Sequence, residues 1–449
     1  MTRLPPEIIS HIARCLLHEN HIVDARSIIP LTHVCQYWRE SIVSAPENWA
    51  LISSRRKGLA ALSLERSKAA PLEVWLGSDE VPWFPGLLVP YFQTTKTLHV
   101  NTDSSIDELA KQLPNFPQSM PNLRSLSLTR RWYVNWDRSI DPFGPFSPTL
   151  KCLTLFGAPL YQSFLRLRTL TKLVLTDDRF DLRPDVLFDF LEGNRSLEIV
   201  ELSITPKEPS LWSMQHRTAV RNRLQRLLIH CHDPMSARLM VSSIPLQRGA
   251  HLEIATHNHD SWLGEVLHQI STTHLLNLSS PTFMQCQSYP RLIHLLGPNG
   301  TFSLNSFPGS VDTFREFPLL PLATVRELHL RHRRFGDSQP LNPLVFFPAL
   351  ETLAVDCGVN LLCLLFSKPY SSPSLKTLIF LDCNLTEGFL EELARFASNR
   401  RNTASTPLHR VVIIDSKGKY PSIASIDALE KHVPVVDVRM GKEFPKNLT

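Results

Sequence analysis

Apolar residues at the start of the chain recur at the spacing of a helix. Ile8, Ile12 and Leu16 lie four residues apart, which places them on one helical face. The preceding segment Leu4–Glu7 suits a helix N-terminus, because proline is tolerated in a first turn and an acidic side chain favours the positive end of the helix dipole. The pattern therefore predicts a short amphipathic helix.

A second apolar pattern follows Pro30. Five residues at offsets of 0, 3, 4, 7 and 11 share one helical face: Leu31, Val34, Cys35, Trp38 and Ile42. The segment Ser44-Ala45-Pro46 ends this predicted helix, and Trp49 follows it. A unit of about 50 residues buries too small a fraction of its surface to be robust alone. We therefore expect it to dock on another structure. The alternative is that the two stripes simply form a small helical cap for the residues that follow.

The rest of the chain repeats a short phrase, L-x-x-L-x-L. Eight clear copies begin at Leu123, Leu150, Leu170, Leu197, Leu224, Val325, Leu350 and Leu375, and fainter copies begin at Thr95, Leu408 and Val433. Alternation of apolar and polar residues predicts strands with one buried face. Helical patterns lie between them, at Ile106–Leu113, Asp185–Leu191, Trp262–Ile270 and Thr386–Phe396. One strand and one helix in roughly 20–29 residues is typical of leucine-rich repeats.

These patterns predict an α/β chain in which a helical motif precedes an irregular leucine-rich-repeat-like solenoid, with parallel strands on the concave face and helices outside. The predicted boundaries are 1–50 for the helical motif, 51–70 for a helical linker and 71–449 for the solenoid. The phrase is blurred between 231 and 320, where we expect the regularity to break. The alternative is a doubly wound sheet, which the near-identical phrases and the lack of a glycine-rich strand-to-helix turn disfavour.

Three segments of the first fifty residues together resemble the F-box motif. They are Leu4-Pro5-Pro6-Glu7-Ile8-Ile9-x-x-Ile12, Leu31-x-x-Val34-Cys35-x-x-Trp38-Arg39 and Pro46-x-x-Trp49. The form is similar to that of fungal, basidiomycete-type F-box proteins, and it implies a three-helix motif over residues 4–50. The unit that begins at Leu375 and contains Cys383 resembles the cysteine-containing leucine-rich repeat often found behind F-boxes.

An F-box implies docking on the small adaptor subunit of SCF cullin–RING ubiquitin ligases, and through it on a cullin. By this resemblance the docking surface would include Leu4, Pro5, Ile8, Ile12, Leu16, Leu31, Val34, Cys35, Trp38 and Arg39. Which of these contact the adaptor and which hold the helices together stays open. For Val34 and Trp38, internal packing is an equal alternative, whereas Leu4 and Pro5 are the better contact candidates.

In leucine-rich repeats the variable residues between the leucines line the concave side. The resemblance assigns this target-binding role to Ser125, Ser127, Lys172, Arg226, His230, Glu327, His329, Arg331, Thr352 and Asp356. Arg226 and His230, with His329 and Arg331, make parts of this surface basic, which would suit an acidic or phosphorylated protein target. The alternative is that these residues are solvated and contact nothing.

Composition narrows the classes of function. The 47 basic and 42 acidic residues are spread along the chain, with one tight basic run at Arg55-Arg56-Lys57, so a nucleic-acid partner is not expected. Eight isolated cysteines without a CxxC pair favour reduced thiols. There is no signal-peptide pattern and no apolar run long enough to span a membrane. We therefore expect a cytoplasmic or nuclear protein without a membrane partner.

Three clusters resemble catalytic or metal sites: His230-Cys231-His232-Asp233, His257-Asn258-His259-Asp260, and Cys357 with Cys363. Adjacent strand residues point to opposite faces, so the first cluster does not converge on one ion. The second is turn-like, and two cysteines do not complete a zinc site. We expect no metal, no cofactor and a non-catalytic receptor subunit of a ubiquitin ligase. The alternative is an interaction scaffold that binds partners without promoting ubiquitylation.

Overall fold

The structure is a computed structural model that describes the chain in separate segments. They are residues 4–19, 25–77, 84–102, 120–130, 149–158, 160, 162–177, 184–204, 223–231, 240–241, 244, 246, 249–256, 281, 283–288, 291–297, 300–306, 320, 322–332, 343–357, 373–381, 387–403, 406–415 and 422–440. The chain divides into two compact units: Met1–Gln215 with Val220–Arg223, and His216–Ala219 with Leu224–Thr449. This division near residue 220 has no counterpart among the predicted boundaries.

The first unit contains the N-terminal helices and the first strands. Its described helices are α1 (Pro6–Glu19), α2 (Gln36–Ser44), α3 (Lys57–Ser67), α4 (Phe84–Leu88), α5 (Gln162–Leu165) and α6 (Pro184–Gly193), with 3-10 helices at Ala25–Ile28, Pro30–His33, Pro46–Trp49 and Val89–Tyr91. Its described strands are β1 (Leu51–Ser53), β2 (Leu72–Leu76), β3 (Thr95–Thr102), β4 (Ser125–Arg130), β5 (Cys152–Phe156), β6 (Lys172–Asp177) and β7 (Ile199–Ile204).

Each of these strands pairs in parallel with the next one along the chain, from β1 to β7. The leucines of the repeated phrase stand in register, so Leu126 pairs with Leu98 on one side and with Leu153 on the other. All three are fully buried. Because burial of one such side chain stabilises a fold by about 1.5–3 kcal/mol, the stacked leucines hold the inner face of the sheet. The predicted strands with one buried face are confirmed for the described strands of this unit.

The second unit contains ten described strands and two described α-helices. The strands are β8 (Arg226–Cys231), β9 (His251–Thr256), β10 (Phe283–Ser288), β11 (Arg291–Gly297), β12 (Gly300–Ser306), β13 (Glu327–His332), β14 (Thr352–Cys357), β15 (Thr377–Leu381), β16 (Arg410–Asp415) and β17 (Val435–Met440). The helices are α7 (Glu387–Thr403) and α8 (Ile423–Glu430), with 3-10 helices at Leu322–Thr324 and Pro343–Phe346.

The strand order of the second unit departs from chain order at one place. The order is β8, β9, β12, β11, β10 and then β13 to β17. Strand β11 runs antiparallel to both of its neighbours, whereas the other described pairs are parallel. The parallel succession therefore breaks between residues 231 and 320, as the blurred phrase predicts.

The second helix of the N-terminal motif is shorter than the sequence predicts. The 3-10 helix Pro30–His33 stops at Val34, Cys35 is extended, and α2 begins only at Gln36. Nε of Arg39 donates a hydrogen bond of 2.9 Å to O of Thr32, a carbonyl that a continuous helix would have used internally. The prediction of one helical face from Leu31 to Ile42 is wrong, because this break separates its two halves.

The segment 51–70 contains more than the predicted helix. Helix α3 lies within it, but β1 does too, and β1 pairs in parallel with β2, with Ile52 opposite Val74. The sheet therefore begins directly after the helical motif.

Two of the four helical patterns between the strands are confirmed. The Asp185–Leu191 pattern lies within α6, and most of Thr386–Phe396 lies within α7. The patterns Ile106–Leu113 and Trp262–Ile270 lie outside the described residues. None of the helices in the described segments combines the length and apolar character that crossing a bilayer requires.

Ion pairs on the last two strands should make the second unit sensitive to acid. Asp437 on β17 accepts a hydrogen bond of 2.6 Å from Arg439 and lies 3.6 Å from the guanidinium of Arg410 on β16. The hydrogen bond from Arg439 is the main cause that lowers the pKa of Asp437. Because the folded pKa lies below the unfolded one, this carboxylate contributes stability above the unfolded pKa and loses it as the pH falls through the folded pKa.

The variant Asp437→Asn is therefore expected to lower the free energy of unfolding at pH 7 by at most about 1 kcal/mol, since the pair is partly solvated. The difference from wild type should shrink as the pH falls below about 4. Urea unfolding of wild type and variant at pH 7 and below about pH 4 measures this difference in stability. A difference that did not change with pH would contradict the stabilising role of the Asp437 carboxylate.

Candidate functional site

Helix α1 turns one apolar face inward. Its buried residues are Ile9, Ala13 and Leu17, at four-residue spacing. They form one hydrophobic core with Ile28, Ile42, Trp49 and Leu51. Sequence reasoning missed this inner stripe, because it begins one residue after the predicted one and has the same spacing.

The stripe that the sequence predicts lies at the edge of this core and outside it. The side chain of Ile8 is 46% exposed and that of Leu4 is 45% exposed. Ile12 and Leu16 are half-buried, and Pro5 is exposed. A folded monomer gains nothing from leaving large apolar side chains in water, and a group of them is typical of an interaction site.

The break before α2 exposes further apolar surface. Val34 is 59% exposed and Cys35 is exposed, whereas Leu31 is half-buried. The hydroxyl of Tyr37 donates a hydrogen bond of 2.9 Å to O of Leu4, which fixes the chain before α1 against the first turn of α2. This bond brings Leu4 near the segment that carries Val34.

We call Leu4, Pro5, Ile8 and Val34 the N-terminal apolar surface. For Val34 the exposure excludes the alternative of internal packing. Trp38 is partly buried against the core, so internal packing accounts for that residue. Arg39 is exposed but uses its Nε to hold the break before α2. Ile29, which is 38% exposed, was not among the predicted residues.

Trp49 lies where the helical motif meets the sheet. It is buried, and its Nε1 donates a hydrogen bond of 3.1 Å to O of Ile42. The guanidinium of Arg66 in α3 lies 4.4 Å from the ring centroid, in cation–π contact. Leu62 of α3 and Trp75 of β2 pack on the same core. The N-terminal helices and the first strands therefore share one core.

The outward face of the first strands carries an aromatic pair. The rings of Trp75 and His99 stack with centroids 3.8 Å apart and planes at 17°. Oε1 of Glu73 accepts a hydrogen bond of 2.9 Å from Nε1 of Trp75 and lies 3.6 Å from Nε2 of His99. Ser127 pairs in register with His99, and Ser125 is two residues before it on β4. Sequence reasoning missed this pair, although the alternation in Leu72–Leu76 predicts that Trp75 faces outward.

Lys172, another predicted target-binding residue, is engaged within the sheet. Its Nζ lies 3.4 Å from Oε1 of Glu201 on the neighbouring strand. Both side chains are partly exposed, so the pair contributes about 0–1 kcal/mol.

In the second unit the predicted basic surface contains acidic partners. Glu253 on β9 lies 3.8 Å from the guanidinium of Arg226 and 3.5 Å from Nε2 of His251. His251 and His294 have ring centroids 6.3 Å apart. Burial is the main cause that lowers the pKa of His294, His251 lowers it further, and Glu253 opposes both. Arg226, one of the residues of the predicted basic surface, is therefore paired with an acid.

His329 is likewise paired, since its Nε2 lies 2.8 Å from Oε1 of Glu327 on the same strand. Thr352 pairs in register with Glu327, and both Thr352 and His230 are half-buried. Arg331 and Asp356 stand opposite each other on β13 and β14, but their side chains lie outside the described part of the chain. The structure thus brings Glu327, His329 and Thr352 onto neighbouring strands.

Three strands of the second unit carry buried apolar residues on both faces. Besides the stacked leucines, a second buried cluster is formed by Ala354, Ile379, Leu381, Val412 and Ile414. These residues occupy strand positions that are polar elsewhere, so the polar face that includes Thr352 on β14 is interrupted by this cluster. Strands of this kind are covered on both sides.

The clusters that resemble catalytic or metal sites are only partly described. Cys231 is buried and His230 is half-buried. The side chains of His232, Asp233, the segment 257–260, Cys357 and Cys363 lie outside the described residues. Within the described segments, no group of three or more His, Cys, Asp or Glu side chains is arranged to hold a metal ion.

No protein-family model matches this chain, and no curated protein is significantly similar to it in sequence.

Proposed function

We propose that this chain is an F-box substrate receptor of an SCF-type cullin–RING ubiquitin ligase. In this proposal the N-terminal helices bind the small adaptor subunit, and the strand–helix units, which we propose to be degenerate leucine-rich repeats, bind a target protein. The chain itself carries out no chemistry, and it acts in the cytoplasm or nucleus.

One observation carries the proposal. The N-terminal apolar surface stays exposed although the helical motif beneath it already has a complete core, built from Ile9, Ile42 and Trp49 among others. The exposed residues are therefore not needed for packing within the described chain. They coincide with positions at which the sequence resembles the docking residues of the F-box motif.

The shared core supplies a mechanism. Because Trp49, Leu62 and Trp75 pack together, a partner on the N-terminal apolar surface and a target on the first strands would be held at a fixed separation. Tethering of this kind raises the effective concentration of a target lysine near the ubiquitin-charged enzyme without catalysis by the tether.

The target surface proposed in the first unit centres on the stacked Trp75 and His99, beside Ser127. An aromatic platform flanked by hydroxyl groups and a carboxylate resembles the amphipathic centre of many protein interfaces. In the second unit the proposed contacts are the half-buried Glu327, His329 and Thr352, which are already ordered by pairing.

The decisive experiment measures binding of the full chain to the adaptor subunit of an SCF ligase by titration calorimetry. The variant Leu4→Ser/Ile8→Ser/Val34→Ser is expected to weaken binding at least tenfold, or about 1.4 kcal/mol, because it removes exposed apolar contacts. A matched control, Val345→Ser/Ile423→Ser/Val435→Ser, changes three apolar residues that are 52%, 77% and 49% exposed elsewhere. It should bind like wild type. Absence of binding by wild type, or equal binding by both variants, would refute the proposal.

A second experiment separates the receptor from a plain scaffold. If the chain bound the adaptor but partners found by proximity labelling did not accumulate under a proteasome inhibitor, the scaffold would be the better account. A scaffold in which the helical motif only caps the strands would be favoured if the predicted stripe of Ile8, Ile12 and Leu16 were fully buried against the first strands. Ile8 is exposed, and Ile12 and Leu16 are half-buried.

A further inference from the structure

Three basic residues stand in a row where the strands of the first unit begin. Lys96 is the second residue of β3, Arg124 immediately precedes β4 and Lys151 immediately precedes β5, and all three are exposed. Their backbones are joined, because N of Arg124 donates to O of Lys96 at 2.8 Å and N of Lys151 donates to O of Arg124 at 2.8 Å. Since neighbouring strands lie about 4.8 Å apart, the three side chains start within about 10 Å of one another.

The row has no internal counter-charge in the part of the chain that the structure describes. No carboxylate there pairs with Lys96, Arg124 or Lys151. Like charges on adjacent strands repel one another and are destabilising. An anion bound from outside the chain would therefore reduce the repulsion within this row.

The second unit offers an internal comparison. Its row at the corresponding strand starts is Arg326, Glu351 and Lys376, joined by the same backbone ladder. There Glu351 lies 4.0 Å from the guanidinium of Arg326 and 3.1 Å from Nζ of Lys376. The same position of the fold thus carries a neutralising acid in one unit and three cations in the other.

A cavity of about 270 Å³ opens beside the first two cations of the row. Lys96 and Arg124 line it together with Gln93, Thr94 and Asn122. The polar wall is fixed, since Nδ2 of Asn122 donates to O of Gln93 at 2.6 Å and Oγ1 of Thr94 donates to O of Tyr91 at 2.9 Å. Lys96 and Arg124 are the two charged residues of this lining.

We propose that this cavity binds a phosphate-type dianion, held by Lys96 and Arg124 with Lys151 alongside. A guanidinium presents two parallel N–H donors that match phosphate oxygens, and a lysine adds a point charge. A dianion neutralises two to three adjacent cations more completely than a single carboxylate would. None of its residues belongs to the N-terminal apolar surface or to the target contacts proposed above, so the proposal is tested independently of the proposed function.

Titration calorimetry of the full chain tests the site with two probes: inorganic phosphate, and a phosphoserine peptide beside its unphosphorylated form. Saturable binding of either phosphate-bearing probe, weakening as salt is added, is expected. Binding of inorganic phosphate as tight as that of the peptide assigns a small-anion site. Peptide binding at least tenfold tighter than that of phosphate, and dependent on the phosphoryl group, assigns a phosphorylated protein segment.

The variant Lys96→Ala/Arg124→Ala should weaken binding of the preferred probe at least tenfold without lowering the urea midpoint, since both side chains are exposed and their charges repel each other. The matched variant Arg326→Ala/Lys376→Ala removes two cations from the neutralised row and should bind like wild type. The proposal is overturned if neither probe saturates, if the first variant binds like wild type, or if both variants lose binding equally.

Discussion

Replacing Trp49 by alanine is expected to lower the free energy of unfolding by about 3–5 kcal/mol, as for other large aromatic residues truncated in a core. Only 2% of Trp49 is exposed, and its ring fills the space between α1, α2 and β1. Truncation leaves a cavity that these elements close only in part, because each is also held by the other residues of the same core. It also removes the cation–π contact with Arg66. Urea unfolding followed by circular dichroism measures the loss.

Two controls separate the contribution of Trp49 to core packing from the contribution of its hydrogen bond. Trp49→Phe keeps most of the apolar volume and should cost about 1 kcal/mol, since O of Ile42 still accepts a hydrogen bond of 3.3 Å from Nδ2 of Asn48. Trp75→Ala truncates the same residue type at a half-buried position and should cost less than Trp49→Ala. Equal losses of stability for Trp49→Ala and Trp75→Ala would contradict the inference that Trp49 is the central residue of the core shared by the N-terminal helices and the first strands.

The strands were largely readable from the sequence because their signal is local. Each L-x-x-L-x-L phrase places its last two apolar residues on one face, and the structure buries them, as for Leu153 with Leu155 and Leu378 with Phe380. Strands β10 to β12 were not readable. In an antiparallel meander the chain reverses after a short turn, so the repeat interval that identified the other strands is lost.

The N-terminal surface was predicted in outline and misjudged in detail. Two apolar stripes, beginning at Ile8 and Ile9, have identical spacing, and the one that is buried packs against residues distant in sequence, such as Ile42 and Trp49. The break at Cys35 depends on a side-chain hydrogen bond from Arg39 to the backbone, which no periodicity reveals. On the strand face, the pairing of Arg226 with Glu253 depends on which strands become neighbours.

Replacing Arg400 by methionine is expected to lower the free energy of unfolding by about 2–4 kcal/mol. Arg400 lies in the last turn of α7 with 1% of its surface exposed, and burial lowers the pKa of its guanidinium. Its Nη2 donates to O of Pro373 at 3.1 Å and to O of Leu375 at 3.0 Å, just before β15 begins. Methionine retains the apolar stem but leaves both carbonyls without these donors. The buried cation thus fastens the helix to the start of the strand it follows.

The adjacent residue provides the control, since Arg401 is exposed and its Nη1 donates to O of Lys431 at 3.1 Å. Arg401→Met removes the same charge from the same turn, but water can replace its hydrogen bond, so the expected loss is under about 1 kcal/mol. Hydrogen exchange should show that Arg400→Met exposes amides of β15 and α7 first. If the two methionine variants lost equal stability, the loss would come from the charge at the helix end and not from the two buried hydrogen bonds. Arg400→Lys, which keeps the charge, would in that case have the stability of wild type. The hydrogen-bond geometry instead predicts that Arg400→Lys is only partly as stable as wild type, because the single ammonium of a shorter side chain does not reproduce the planar guanidinium.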